Sequence, residues 1–277
     1  MHHHMYAVRR LRSTLIPLSY WQQALYSRKI ERLSLTTSDG VTIAATLFPC
    51  QQQDLLIVCH GFGANQRSMA IVWLAEALAG PWDVLTFDWR GFGQSGGQAS
   101  LGLDEQQDLE TVIAYGRAAG YERIGLIAES MGGLISLTAL GSWAANGEPA
   151  EHHRVERLVS IAAPISYLLT GRLRSFIASH VAPQRWARPL SPLVGLRLGQ
   201  IKPVSSMDVV QYIQVPTLLI HGDADTVVPV KNAYLIHERC PHATLHIYKG
   251  VDHSIEYMRH SVKDRLLEDV RSHFQTW

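Results

Sequence analysis

The chain has 277 residues, of which 47% are hydrophobic and 18% charged, and this composition is typical of a soluble globular protein with a large core. A formal net charge of +1 gives no electrostatic argument for nucleic acid or any other polyanion as a partner. The three cysteines, Cys50, Cys59 and Cys240, follow no metal-ligand spacing, and we expect them to be free thiols in a reducing, cytoplasmic compartment.

Residues 1–29 precede the first predicted strand. Met1–Met5 contains three consecutive histidines and is typical of a tag remnant. Apolar side chains between residues 6 and 30 recur at helical spacing among five basic residues, with Pro17 as an interruption. The apolar runs are too short for a signal peptide or a spanning helix. We therefore expect a helical segment packed on the domain, and peripheral contact with an anionic membrane is the alternative.

From residue 30 onward, apolar runs alternate with helical patterns, which predicts a mostly parallel α/β sheet of about eight strands with helices on both faces. Strands are predicted at 30–36, 41–48, 54–59, 82–88, 123–129, 155–162, 217–221 and 244–248. Helices are predicted at 66–79, 103–119, 132–145, 232–239 and 256–274. The alternation is interrupted over about 164–207, so the sequence predicts one domain over 30–277 with a short cap insertion.

A serine lies between a predicted buried strand and a predicted buried helix, in Ala128-Glu129-Ser130-Met131-Gly132. The small residues two positions before and after Ser130 allow a sharp turn that would project its hydroxyl above the sheet. The segment resembles the nucleophile elbow of the α/β-hydrolase fold superfamily, in its serine esterase and serine aminopeptidase-like branch, with Ala128 in place of the usual glycine. A simpler interpretation is that Ser130 only caps its helix.

In that superfamily an acid and then a histidine follow the nucleophile along the chain. The segment from His221 to Asp225 is similar to the family segment that carries the catalytic acid, and its fifth residue, Asp225, matches that acid. Asp223 is the competing carboxylate, and we expect it to shape the turn instead. His253 matches the family's catalytic histidine. The resemblance implies that Ser130 is the nucleophile, His253 the general base and Asp225 the group that orients the base.

Two further glycine-containing segments extend the resemblance. His60-Gly61-Phe62-Gly63 matches the family's HGxG segment, which implies that the backbone N–H groups of Phe62 and Met131 form the oxyanion hole. The side chain of His60 is expected to be structural. Asp88–Ser95 is similar to the family's DxRGxGxS segment and is also expected to be structural. Asp252, beside His253, is expected to point away from the site.

The segment 164–207 contains five arginines and one lysine but no acidic residue. Interleaved apolar residues suggest a lid over the substrate pocket, and we assign Tyr167, Arg172 and Phe176 to that pocket. Such a lid could receive an anionic acyl ester or rest on an anionic surface. A plainer interpretation is a solvated basic face.

The five segments cover most of residues 30–260. They imply hydrolysis of a small-molecule or lipid-like carboxylic ester through an acyl-enzyme. Serine at the elbow argues against the related dehalogenases and epoxide hydrolases, which use aspartate there. The sequence shows no dinucleotide, phosphate-loop or metal motif, so no cofactor or metal is expected. The alternatives are thioester or amide hydrolysis, a non-catalytic ligand-binding module and a membrane-peripheral lipid hydrolase, and the natural substrate and oligomeric state stay open.

Overall fold

The computed structural model describes residues 25–147, 153–166, 197, 199–200, 202, 204–253, 258–275 and 277. The N-terminal segment that was predicted to be helical lies almost wholly outside these residues. Most of the predicted cap, 164–207, also lies outside them. The predicted division into an N-terminal segment, a domain and a cap is therefore still a prediction.

Within the described ranges, eight strands form one sheet. They are β1 (Glu31–Thr36), β2 (Thr42–Phe48), β3 (Asp54–Cys59), β4 (Asp83–Phe87), β5 (Arg123–Glu129), β6 (Arg157–Ile161), β7 (Thr217–Gly222) and β8 (Ala243–Tyr248). The spatial order is β1-β2-β4-β3-β5-β6-β7-β8. β2 pairs antiparallel with β1 and β4, and all other neighbours are parallel. The predicted mostly parallel sheet is confirmed.

Helices cover both faces of this sheet, as predicted. They are α1 (Met69–Leu78), α2 (Glu105–Ala118), α3 (Met131–Ala145), α4 (Lys231–Arg239) and α5 (His260–Gln275). Successive residues of a strand point to opposite faces. In β3, Leu56 therefore belongs to the buried cluster that contains residues of α1 and α5, whereas Leu55 and Ile57 belong to the cluster that contains residues of α2, α3 and α4. Among the helices that the structure describes, none is long and apolar enough to cross a membrane.

Helix α3 crosses the centre of the sheet and is buried from Met131 to Gly141, in agreement with its unusually apolar sequence. Glycines allow its neighbours to approach closely. A Cβ atom on Gly141 would lie 2.5 Å from the carbonyl oxygen of Val209, between two 3-10 turns at Ser206–Asp208 and Val210–Tyr212. Because every residue of α3 from Met131 to Gly141 is buried in the core, the position of the helix is fixed, and so is the position of the turn at Ser130 that precedes it.

Helix α1 begins at Met69, three residues later than predicted. The backbone N–H of Gln66 donates to Oδ1 of Asp88 at 2.7 Å, and the side-chain amide of Gln66 donates to Oδ2 of Asp88 at 3.0 Å. Asn65 then accepts the N–H of Arg67 in a local turn. These side-chain bonds compete with helical hydrogen bonds and delay the helix start.

Candidate active site

The predicted site residues follow the carboxyl ends of strands that lie side by side in the sheet. Ser130 follows β5, Asp225 follows β7 and His253 follows β8, while Gly61 lies just after β3. Because these strands are parallel, their carboxyl ends share one edge, where ligand sites form in open α/β sheets. The fold therefore gathers residues that are distant in sequence.

Ser130 has a backbone conformation that a non-glycine residue rarely adopts, with φ 50° and ψ −110°. Such strain persists only where the surroundings enforce it. The N–H of Ser130 donates to the carbonyl oxygen of Ile161 in β6 at 2.8 Å, and its own carbonyl accepts the N–H of Leu134 at 3.0 Å. The Ser130 side chain makes no capping hydrogen bond to α3, which argues against the simple capping interpretation.

The turn also requires glycine at position 132. A Cβ atom on Gly132 would lie only 2.5 Å from the carbonyl oxygen of Cys59 at the end of β3. This neighbour is a backbone atom and cannot rotate away. Close contact between the first turn of α3 and β3 thus fixes where the Ser130 hydroxyl emerges.

Ser130, His253 and Asp225 form a continuous chain of hydrogen bonds. Nε2 of His253 lies 2.9 Å from Oγ of Ser130, and Nδ1 lies 2.7 Å from Oδ2 of Asp225. The side chain of Asp225 is fully buried and that of His253 is 13% exposed. A carboxylate only accepts, so Nδ1 carries the proton and Nε2 is left to accept the Ser130 hydroxyl. This arrangement can remove a proton from the hydroxyl.

The Asp225 carboxylate is held by more donors than the sequence indicated. Its Oδ1 accepts the N–H groups of Val227 and Val228 at 2.8 and 2.7 Å. Nε2 of His221 lies 3.1 Å from Oδ2, the oxygen that also binds His253. Burial alone would raise the pKa of Asp225, but the hydrogen bonds from His221 and His253 outweigh it and lower the pKa well below its usual range. The carboxyl group is therefore ionised.

The His253 imidazole experiences two opposing influences. Burial alone would lower its pKa, whereas the hydrogen bond and charge of Asp225 raise it. The carboxylates of Glu129 and Asp252 act in the same direction as Asp225. The pKa of His253 is raised above its ordinary value, so the environment favours the imidazolium that proton transfer would create.

The loop after β3 lies beside Ser130. A Cβ atom on Gly61 would lie 3.3 Å from Cβ of Ser130. Nδ1 of the buried His60 donates to the Gly61 carbonyl at 2.8 Å, and Nε2 accepts the backbone N–H of Trp89 at 3.3 Å. Burial lowers the pKa of His60 to about 4, so its ring is neutral. The peptide is planar and trans, so holding the Gly61 carbonyl also fixes the direction of the Phe62 N–H.

The second predicted oxyanion donor, Met131, is the first residue of α3. The first N–H groups of a helix have no acceptor within it, and they form the positive end of its dipole. Developing negative charge beside Ser130 would therefore face this helix terminus. The roles of Phe62 and Met131 as donors are still predictions at this point.

The segment Asp88–Ser95 has the structural contacts that the sequence suggested. Oδ2 of Asp88 accepts the Gln94 N–H at 2.7 Å, and the Ser95 hydroxyl donates to the Asp88 carbonyl at 2.6 Å. Arg90 pairs with the buried Asp108 at 2.8 Å and with Asp39 at 2.7 Å. These bonds tie the loop after β4 to the hairpin that β1 and β2 form and to α2.

The pocket residues Tyr167, Arg172 and Phe176 lie outside the described residues. Two basic residues from the end of the cap segment can be placed. The Arg197 guanidinium donates to the carbonyl oxygens of Ser95 and Gly97, and Nζ of Lys202 lies 2.9 Å from Oδ1 of Asp104. These two cations bind the body of the domain.

The described part of the chain contains no disulfide and no candidate metal site. Cys50, Cys59 and Cys240 are free thiols, and burial raises the pKa of Cys59 to about 12. No group of three or more histidine, cysteine, aspartate or glutamate side chains among the placed residues could hold a metal ion.

Comparisons with known proteins agree with this fold. A family model described as the alpha/beta hydrolase fold matches residues 54–194. The uncharacterized protein YqkD of Bacillus subtilis is 30% identical over 232 residues, which cover 79% of this chain and 72% of that protein. The Pyrococcus furiosus esterase Pf2001 superimposes with a TM-score of 0.72 at 22% identity, with 100% of this chain and 99% of that chain covered. XC6422 from Xanthomonas campestris, an a/b serine hydrolase without lid, gives 0.62 at 23% identity, covering 92% of this chain and 97% of that chain. The chain therefore belongs to the α/β-hydrolase fold family.

Proposed function

We propose that this protein is a serine hydrolase that cleaves a carboxylic ester through an acyl-enzyme intermediate. The observation that carries the proposal is the chain of hydrogen bonds from Ser130 through His253 to the buried Asp225, at 2.9 and 2.7 Å. A serine hydroxyl is a weak nucleophile at neutral pH and needs such an adjacent base. The chain of bonds supplies the base and fixes its tautomer.

In the acylation step, Nε2 of His253 removes the hydroxyl proton as Oγ of Ser130 attacks the ester carbonyl carbon. The carbonyl oxygen becomes an oxyanion, which the N–H groups of Phe62 and Met131 stabilise. His253 then donates the proton to the leaving alkoxide, the carbon–oxygen bond breaks and the alcohol departs. Asp225 remains ionised throughout and stabilises the imidazolium.

Deacylation follows the same path in reverse order. Nε2 of His253 removes a proton from water, and the hydroxide attacks the acyl carbon. The second tetrahedral intermediate collapses by breaking the bond to Oγ of Ser130, and His253 returns the proton to that oxygen. The products are a carboxylic acid and the free enzyme, so no cofactor is consumed.

An ester is the substrate class that the comparisons favour. The Pyrococcus furiosus esterase Pf2001 matches nearly the whole length of both chains, although at 22% identity this likeness by itself establishes only the fold. The same residues could attack a thioester or an amide. The test must therefore include all three substrate types.

The proposal is tested by comparing wild type with Ser130→Ala on p-nitrophenyl esters of increasing acyl length, acyl-CoA thioesters and aminoacyl arylamides. We expect the highest kcat/KM on an ester, and a loss of at least about 10³-fold in kcat in the variant. Ser142→Ala, on the same helix, is the matched control and should keep wild-type activity.

Labelling with a fluorophosphonate provides a readout that needs no knowledge of the natural substrate. We expect covalent modification of Ser130 in the wild type and none in Ser130→Ala. A folded wild-type protein that neither hydrolyses these substrates nor reacts with the probe would contradict the proposal and favour a ligand-binding module. A preference for thioesters or arylamides would leave the proposed roles of Ser130, His253 and Asp225 unchanged but would replace the ester as the proposed substrate class.

A further inference from the structure

Two loops carry the acid and the histidine of the proposed triad. We name residues 223–228, after β7, the acid loop, and residues 249–253, after β8, the histidine loop. Each loop is partly exposed at the edge of the sheet. Their relative placement sets the distance between Asp225 and His253, so whatever joins the loops also affects the proton relay.

The Asp252 carboxylate joins the two loops, although the sequence suggested that it would point away. Its Oδ1 accepts the backbone N–H of Thr226 at 2.9 Å and the Thr226 hydroxyl at 3.0 Å. The same oxygen accepts the backbone N–H of His253 at 2.8 Å. One carboxylate oxygen thus binds the residue that follows the acid and the backbone of the histidine itself.

A second carboxylate makes the reciprocal contact. Oδ1 of Asp223, in the acid loop, accepts the N–H of Gly250 in the histidine loop at 2.6 Å. The backbone N–H of Ala224 also donates to the carbonyl oxygen of Val251 at 3.1 Å. The start of the acid loop is therefore bonded to the histidine loop through Asp223 and Ala224. Asp252 adds a connection next to the triad residues, between Thr226 and the His253 backbone.

We propose that Asp252 is a positioning residue, which holds the His253 imidazole at bonding distance from Asp225 by clamping Thr226 and the His253 backbone to one oxygen. This inference rests on the proposed function, because it assigns a role in the same reaction. Asp252 and Thr226 are exposed, so their hydrogen bonds have only a small net effect on the stability of the fold. The geometric effect is larger, because displacement of a reacting group by about 1 Å can reduce a rate about 10²-fold.

The test compares Asp252→Ala, which removes the acceptor, with Asp252→Asn, which keeps an acceptor oxygen and removes the charge. Asp264→Ala, which removes an exposed carboxylate from α5, is the control. Each variant is assayed for kcat and KM on the best p-nitrophenyl ester and for its rate of fluorophosphonate labelling.

We expect Asp252→Ala to reduce kcat and the labelling rate about 10- to 100-fold, with KM nearly unchanged. Asp252→Asn should restore most of both rates, because the two lone pairs of the amide oxygen can still accept the backbone N–H groups of Thr226 and His253. Asp264→Ala should match wild type. A general structural defect would instead lower the fraction of labelled protein and would not be rescued selectively by asparagine.

The outcomes separate this inference from the proposed function. An inactive and unlabelled wild type overturns both. If the wild type is active and Asp252→Ala has the same kcat and labelling rate, the positioning role alone is overturned. The positioning role is also overturned if Asp252→Asn is as slow as Asp252→Ala. Should Asp252→Ala fail to fold by circular dichroism, Thr226→Val removes the hydroxyl donor from the opposite loop. Several-fold slower labelling then supports the clamp, and wild-type labelling overturns it.

Discussion

Nε2 of His221 lies 3.1 Å from Oδ2 of Asp225 and 2.9 Å from the carbonyl oxygen of Val228. Both neighbours are acceptors, so Nε2 carries a proton that it shares between them. Asp225 thus receives a hydrogen bond from an imidazole at the end of β7 in addition to the one from His253. The ring of His221 is buried and ties the acid to the chain that turns into α4.

We therefore predict that His221→Phe, which keeps an aromatic ring and removes the donor, will weaken both the fold and the reaction. The variant leaves the Val228 carbonyl without the His221 donor and the Asp225 carboxylate with one donor fewer, which should cost about 1–3 kcal/mol of unfolding free energy. kcat should fall, because Asp225 can then rotate away from His253. Urea unfolding and ester hydrolysis measure the two effects, and a variant identical to wild type in both would show that the contact is incidental.

The pH dependence of activity provides a second prediction. The proposed base must be neutral to act, and its pKa is raised above 6.5. kcat/KM should therefore rise with increasing pH, with a midpoint above 6.5 in the free enzyme. Asp225→Asn removes the charge that raises this pKa, so the midpoint should move to lower pH.

In the same variant, kcat should fall about 10⁴-fold, because asparagine no longer holds the correct imidazole tautomer. Initial rates across the pH range with one p-nitrophenyl ester measure both parameters. A wild-type midpoint at or below the ordinary histidine value would contradict the assigned environment of His253.

The sequence predicted the sheet and the three triad residues because strand periodicity and the order of the segments are local patterns. It gave no role to His221, and for Asp252 it gave only the expectation that the side chain points away from the site. The partners of both lie across turns, and spacing does not reveal which donors a carboxylate will meet. It also placed the start of α1 too early, because Gln66 is held by Asp88, which is distant in sequence. The assignment of Tyr167, Arg172 and Phe176 to the pocket stays a prediction, because these residues lie outside the described part of the chain.

A third prediction concerns the turn that presents Ser130. Gly132→Ala places a methyl group 2.5 Å from the carbonyl oxygen of Cys59, where only backbone movement can relieve the clash. We expect a loss of about 1–3 kcal/mol in unfolding free energy and severe loss of fluorophosphonate labelling. Gly147→Ala is the control, because its Cβ atom would have open space around it.

At Gly147 the cost arises only from a positive φ of 71° and should be about 1 kcal/mol, with labelling unchanged. Chemical unfolding and the labelling rate separate the two variants. Equal labelling in both would mean that the position of the Ser130 hydroxyl tolerates displacement of α3.

The last prediction concerns Arg90, whose guanidinium joins three parts of the fold. Nε lies 2.8 Å from Oδ1 of Asp108, and both side chains are almost completely buried. Nη1 lies 2.7 Å from Oδ2 of Asp39 in the first hairpin. Arg90→Ala leaves the Asp108 carboxylate buried without its cation, and breaking such a pair costs about 3–5 kcal/mol.

Arg123→Ala provides the matched comparison for Arg90→Ala. Arg123 pairs with Asp54 at 2.6 Å, so its bond is at least as short, but its side chain is 41% exposed. Water can solvate Asp54 once the arginine is removed, and the expected cost is at most about 1 kcal/mol. Urea unfolding of both variants therefore tests whether burial, and not bond length, determines the cost. Equal destabilisation would mean that Asp108 finds another partner or is protonated when Arg90 is absent, and measuring the Arg90→Ala variant across pH would distinguish these two cases.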